Sequence, residues 1–226
     1  MAQQFKNFIA TTNTTGSAVT FLECPSGKSL IVRNLNIFND NANTATQTLH
    51  LTDKSESEAY TIVFGDTDGY TIGTKANTSW GYRFVLEEGD KIGFQTDVDS
   101  QRIAGSYVLL DSSGRTKYKH KSVKFTSEDE YVTLLTAPTG HTLIVKVIRL
   151  GNVSGTNATS NILRLVEATT NTYVTLSQGT INDTTSATFT STFVLEPGDT
   201  IQFLNTEEPM TSTIFYMEMP IPQLRA

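Results

Sequence analysis

The chain has 226 residues, 18% of them charged, and a formal net charge of −6 at neutral pH. That length is long for one domain and comfortable for two of about 100 residues each, and the acidic balance speaks against a general nucleic-acid binder, which would be basic. A single cysteine, Cys24, rules out an intrachain disulfide and a metal site built on thiolates.

In chain order, MAQQFKNFIATT comes first, with neither the apolar core nor the cleavage pattern of a signal peptide. Residues 1–13 read as an N-terminal arm in which Phe5, Phe8 and Ile9 stand among polar residues. Two placements fit it equally, on a neighbouring subunit or as an edge strand of its own first domain. No stretch nears the roughly 18 apolar residues of a spanning helix, so a soluble protein made in a cytoplasm, without membrane contact, is expected.

Residues 14–112 then give SAVTFLEC, SLIVRNLNIFN, TQTLHLTD, YTIVFG, YRFVLEE, DKIGFQTD and AGSYVLLD. These short apolar or alternating runs, separated by turn residues, read as strands. Alternation within LIVRNLNIF is imperfect. It sets Ile31, Arg33, Leu35 and Ile37 against Val32, Asn34, Asn36 and Phe38, as expected of a central strand buried on part of both faces. PSGKS (25–29) ends like a phosphate loop, but the glycine required five positions before Gly27 is Leu22. A Pro-x-Gly turn between strands accounts for it better. The loop TDGYTIGTKANTSW (67–80) carries Trp80, the sole tryptophan, which with Tyr70 could contact a glycan; capping one end of a core is the commoner role of such a side chain.

Residues 113–124, SGRTKYKHKSVK, hold five basic groups and no acidic one: Arg115, Lys117, Lys119, Lys121 and Lys124. They read as a linker between two acidic domains, with net charges of −5 before it and −6 after it. A linker that softens repulsion is the plain reading, and a docking strip for an acidic partner surface or for nucleic acid the other. Residues 125–226 give a second series: YVTLLTA, TLIVKVIRLGN, SNILRLVEA, YVTLSQG, ATFTSTFVLEP, DTIQFLNT and STIFYMEMP, with a short C-terminal tail.

The two series match. VTFLECPSGKSLIVRNL (19–35) aligns with VTLLTAPTGHTLIVKVI (132–148) at an offset of 113, and FVLEEGDKIGF (84–94) with FVLEPGDTIQF (193–203) at 109. Landmarks in the same order mean a tandem duplication. The expected fold is all-β, with two antiparallel β-sandwich domains of jelly-roll type. In the repeated corner, glycine at positive φ and an aspartate accepting backbone amides are expected at Gly89–Asp90 and Gly198–Asp199.

Residues that could carry chemistry are few. His50, His120 and His141 have no spacing that chelates a metal or serves a nucleophile. A cupin-type metal site needs a His-x-His pair, and His50 has Arg164 as its repeat partner. GDTDG (65–69) and TDVDS (96–100) pair carboxylates without completing a calcium loop. No catalytic residue, metal or cofactor is expected, and the chain reads as a non-enzyme.

MAQQFKN, the Pro-x-Gly turn, the central strand ending in asparagine (Asn39, Asn152) and VLExGDxI before the last strand resemble small jelly-roll-type virion structural proteins of tailed bacteriophages, here with the unit written twice. The resemblance implies a virion protein that decorates or cements a capsid, or else a neck, tail, baseplate or receptor-binding fibre component. It implies a homo-oligomer and other virion proteins as partners. Under it, Phe5, Phe8, Ile9 and the basic residues of 113–124 become candidate contacts.

Overall fold

In the computed structural model, residues 4–12, 15–55, 59–62, 70–80, 83–113, 116–125, 128–152, 158–182, 186–206 and 210–221 are described. Among them are nineteen strands and no helix. The chain divides into two compact units, Met1–Ser113 and Gly114–Ala226.

The first unit runs β1 (Gln4–Thr12), β2 (Val19–Glu23), β3 (Lys28–Asn39), β4 (Ala45–Thr52), β5 (Ala59–Ile62), β6 (Tyr70–Ile72), β7 (Asn77–Trp80), β8 (Phe84–Leu86), β9 (Lys91–Thr96) and β10 (Gln101–Asp111). One sheet has the order β1-β10-β3-β7, with β8 also on β3; the other has β2-β9-β4-β5, with β6 also on β4. The pairs β5/β6 and β7/β8 each act as one interrupted strand. Eight strands then alternate between two antiparallel sheets in the orders 1-8-3-6 and 2-7-4-5, which is the two-Greek-key jelly roll.

The second unit repeats the plan with β11 (Lys117–Phe125), β12 (Val132–Thr136), β13 (His141–Asn152), β14 (Thr159–Val166), β15 (Tyr173–Ile181), β16 (Ser186–Phe189), β17 (Phe193–Leu195), β18 (Thr200–Asn205) and β19 (Met210–Pro220). Its sheets are β11-β19-β13-β16, with β17 also on β13, and β12-β18-β14-β15. The expected fold is therefore present twice.

Three expectations need correction. Most of the basic segment 113–124 is strand rather than linker, because β11 pairs with β19 along nine residues from Lys117↔Glu218 to Phe125↔Met210. The lysines hide a strand whose last turnward residues, Val123 and Phe125, pack on the core. The loop 67–80 contains β6 and β7 as short edge strands. Finally, LIVRNLNIF is the central strand expected, between β10 and β7, but its side chains do not sort onto the two faces by strict alternation, because the strand carries a bulge. The register against β10 skips Arg33, between Tyr107↔Val32 and Ser106↔Asn34. The extra residue flips the phase, so Leu30 and Val32 before it and Leu35 and Ile37 after it are all buried.

The second unit keeps this bulge at Lys146, between Val145↔Tyr216 and Val147↔Phe215. A second shared bulge skips Phe21 on β2 and Leu134 on β12. The cores correspond residue by residue: Leu30, Leu49, Leu86, Ile92 and Phe94 in one unit, Leu143, Leu163, Leu195, Ile201 and Phe203 in the other, all buried. Each large apolar side chain so buried contributes about 1.5–3 kcal/mol.

Candidate functional site

The repeated corner is held by the same backbone and aspartate hydrogen bonds in both units. Gly89 and Gly198 take φ of 83° and 91°, a region that side chains resist. The Gly89 amide donates to the Cys24 carbonyl and the Cys24 amide to the Asp90 carbonyl, both at 2.9 Å; Gly198, Ala137 and Asp199 repeat this pair at 2.9 Å. The Asp90 carboxylate accepts from the amides of Glu87 (2.5 Å) and Lys54 (2.9 Å). Asp199 accepts from Glu196 and Ala168, both at 3.0 Å. Each aspartate thus ties its own turn to the strand end across the sheet, a structural task.

In the first unit the Pro-x-Gly turn is tied down as well. Glu88 accepts from Ser26 Oγ at 2.6 Å and from the Gly27 amide at 2.9 Å. These bonds hold its carboxyl below the usual range. Lys28 pairs with Asp111. The amide and the lysine that a phosphate loop would need are both engaged. Cys24 is buried beside this corner, and burial, with Asp90 and Glu88 adding repulsion, pushes its thiol up to about 12. It is a packing residue.

The arm is the edge strand of its own unit. β1 pairs with β10 from Gln4↔Leu109 to Thr12↔Gln101 and ends the sheet. Phe8 turns inward, stacking on Phe21 with ring centroids 5.4 Å apart. It also fills the space over Gly105, where an added Cβ would lie 2.7 Å from its ring. Phe5 and Ile9 point the other way and are 68% and 80% exposed.

Four of the five basic residues lie on β11, and they do not form one strip. Lys117, Lys119 and Lys121 alternate onto one side of the strand and Lys124 onto the other. Lys119 is bound to Glu218 at 2.9 Å. Arg115 lies outside the described residues, as do the side chains of Tyr70 and Trp80 and the whole of GDTDG. In TDVDS, Asp97 accepts the Thr46 amide at 2.7 Å and Asp99 the Asn41 side-chain amide at 2.7 Å, bonds that tie this loop to a segment 51 and 58 residues earlier rather than to its own backbone amides.

Sequence reasoning missed one cluster. On the outer face of β12-β18-β14-β15, the Arg164 guanidinium carbon lies 3.3 Å from the Tyr131 ring centroid and 5.0 Å from that of Tyr173. Gln202 Oε1 accepts from Arg164 Nε at 3.0 Å and Nη2 at 2.7 Å. The one signal available was the pairing of Arg164 with His50 between repeats. His50 contacts Gln95 instead, Nε2 to Oε1 at 3.1 Å.

No protein-family model matches the sequence. No curated protein matches it. Among solved structures, the chain is similar to the STIV MCP at 11% identity, covering 99% of each chain, with a TM-score of 0.41. It is similar to the major capsid protein P2 from bacteriophage PM2 at 10% identity over 100% of each chain, TM-score 0.39. It is equally similar to N-glycanase F, at 10% identity over 96% of each chain, TM-score 0.40. Coat proteins and an enzyme at the same distance carry no argument about function, and none of these names narrows the resemblance to tailed phages.

Proposed function

We propose that the chain is a non-enzymatic structural protein of a virus particle, a decoration or cement protein that adds its two jelly rolls to a capsid surface as a homo-oligomer. The observation that carries the reading is β1, an edge strand that presents Phe5 and Ile9 to solvent while its outer backbone edge has no neighbouring strand among the described residues. Proteins ordinarily blunt such an edge with charge, proline or a bulge. Here nine residues pair without a register shift on the inner side and carry one lysine, Lys6. An open edge that exposes two large apolar side chains suits strand addition by a partner, where main-chain hydrogen bonds supply affinity and side chains supply specificity. Repetition by particle symmetry multiplies a modest contact.

The sequence resemblance to phage virion proteins supports the same reading, and with it synthesis in a host cell followed by incorporation into the virion. The test is compositional. Particles purified by density gradient are digested and quantified by mass spectrometry, with the major coat protein as reference. The reading expects many copies per particle, in a fixed ratio to that reference. A chain found in the lysate and missing from the particles would overturn it.

A further inference from the structure

We infer that Tyr131, Arg164, Tyr173 and Gln202 form a binding site for a saccharide carrying a carboxylate group. The face they occupy is open. Register rows across the four strands run Thr133–Gln202–Arg164–Thr175 and Thr136–Thr200–Val166–Tyr173, and no residue of either row is buried. Arg164 is the one charged side chain in those rows. Tyr131 and Tyr173 keep 37% and 62% of their surface exposed.

The fold does not require this arrangement, and the duplication shows it. The corresponding rows of the first unit are Thr20–Gly93–His50–Thr61 and Glu23–Lys91–Thr52–Ala59. That unit builds the same sheet with Gly93 for Gln202, His50 for Arg164, Ala59 for Tyr173 and, by the offset of 113, Ala18 for Tyr131. Seven of the nine positions compared therefore differ between the units, and four of the seven make an aromatic, arginine-centred cluster in the second unit only.

The chemistry defines the ligand. Arginine offers five N–H donors in a planar fork, and Gln202 takes two, on Nε and Nη2. No partner for the others is present among the described residues. Stacking on Tyr131 and anchoring by Gln202 fix the plane of the fork before any ligand arrives, which lowers the entropic cost of binding. A fixed, unsaturated fork matches a carboxylate. Exposed tyrosine faces match the C–H-rich face of a pyranose ring, and the surrounding threonine hydroxyls and glutamine amides match its hydroxyl groups. The residues after 124 carry a net charge of −6, so long-range attraction is not what brings an acid here. Contact recognition at the Arg164 fork is, and the same field opposes a densely charged polyanion such as nucleic acid more than a saccharide with few carboxylates.

The test is a titration of the full chain, followed by two-dimensional NMR and calorimetry, with 3′-sialyllactose, trigalacturonate and, as the neutral control, lactose. The inference expects saturable binding of at least one of the two acids, perturbing the Arg164 side-chain N–H resonance. Which acid binds separates a sialic-acid from a uronic-acid source. Lactose should bind at least about tenfold more weakly, and Arg164→Gln and Tyr173→Ala should each weaken the acid by about tenfold or more. Arg164→Lys, which keeps the charge and loses the fork, should also weaken it. Circular dichroism and thermal midpoints confirm that each variant is folded, and all three changes lie at the surface. No saturation by either acid up to about 10 mM, equal binding of lactose, or full binding by folded Arg164→Gln would overturn it. Any of these outcomes leaves the particle-composition test above untouched.

Discussion

Asp90 and Asp199 show how much a single residue can determine in this fold. Each spends both carboxylate oxygens on backbone amides from two different segments, so the corner between β8 and β9 and that between β17 and β18 are closed the same way. The sequence announced this corner through its Gly-Asp repetition. It did not announce that Glu88 is more than polar filler, because its partners Ser26 and Gly27 are sixty residues away in the chain. Pro197 occupies that place in the second unit and cannot make those bonds. The two glycines differ in their surroundings. An added Cβ at Gly198 would lie 2.9 Å from the Ala168 Cβ, whereas at Gly89 it would meet the movable Lys54 side chain. Gly198→Ala should therefore cost about 1–3 kcal/mol and Gly89→Ala less, although both force a positive φ. Urea midpoints compare them, and equal losses would contradict the account. His50 supplies a pH dependence. Burial holds its imidazole below the ordinary value, with the Gln95 hydrogen bond opposing. The unfolded chain then binds the proton more readily, so this contribution to stability is complete above the unfolded pKa near 6.5 and is lost as pH falls toward the folded value. Stability should decline between pH 7.5 and 5.5, and His50→Gln should flatten that decline. An unchanged slope in the variant would contradict the assignment.

At the scale of elements, bulges and edges separate what the sequence reveals from what it hides. Strand existence was legible from apolar runs between turn residues. Strand phase was not, because one inserted residue at Arg33 or Lys146 moves the following side chains to the other face, and single-sequence alternation has no marker for it. β11 escaped notice for an electrostatic reason, since its lysines resemble a solvated linker. The two edge strands also diverge where they are equivalent. Against the last strand, Phe8 faces Gly105 and Lys121 faces Ile214. A large ring over glycine in one unit is matched by a lysine stem beside isoleucine in the other. The assembly reading makes a sharp claim about β1. Ile9→Asp, alone or with Phe5→Asp, alters exposed side chains and should change stability by no more than about 0.5 kcal/mol. Association, followed by light scattering during size-exclusion chromatography, should be lost. A variant that still associates like the parent would exclude β1 as the contact.

For the whole molecule, duplication explains both sameness and difference. The scaffold is held constant by the shared corner, the shared bulges and matching cores, and the differences of functional interest lie on faces and edges: exposed Phe5 and Ile9 on the edge of the first unit, a tyrosine–arginine cluster in the second. The repeat was plain in the sequence because scaffold positions changed least. The Arg164 cluster was obscure because its four members come from four segments and converge only when the sheet forms. The function proposed above places these two jelly rolls on a particle surface. A cryo-electron microscopy map of the purified virion tests it most directly. Outer-surface density is expected at symmetry-related positions into which two tandem jelly rolls fit, with β1 against a neighbouring protein. A complete map in which every density is assigned to other chains would contradict it.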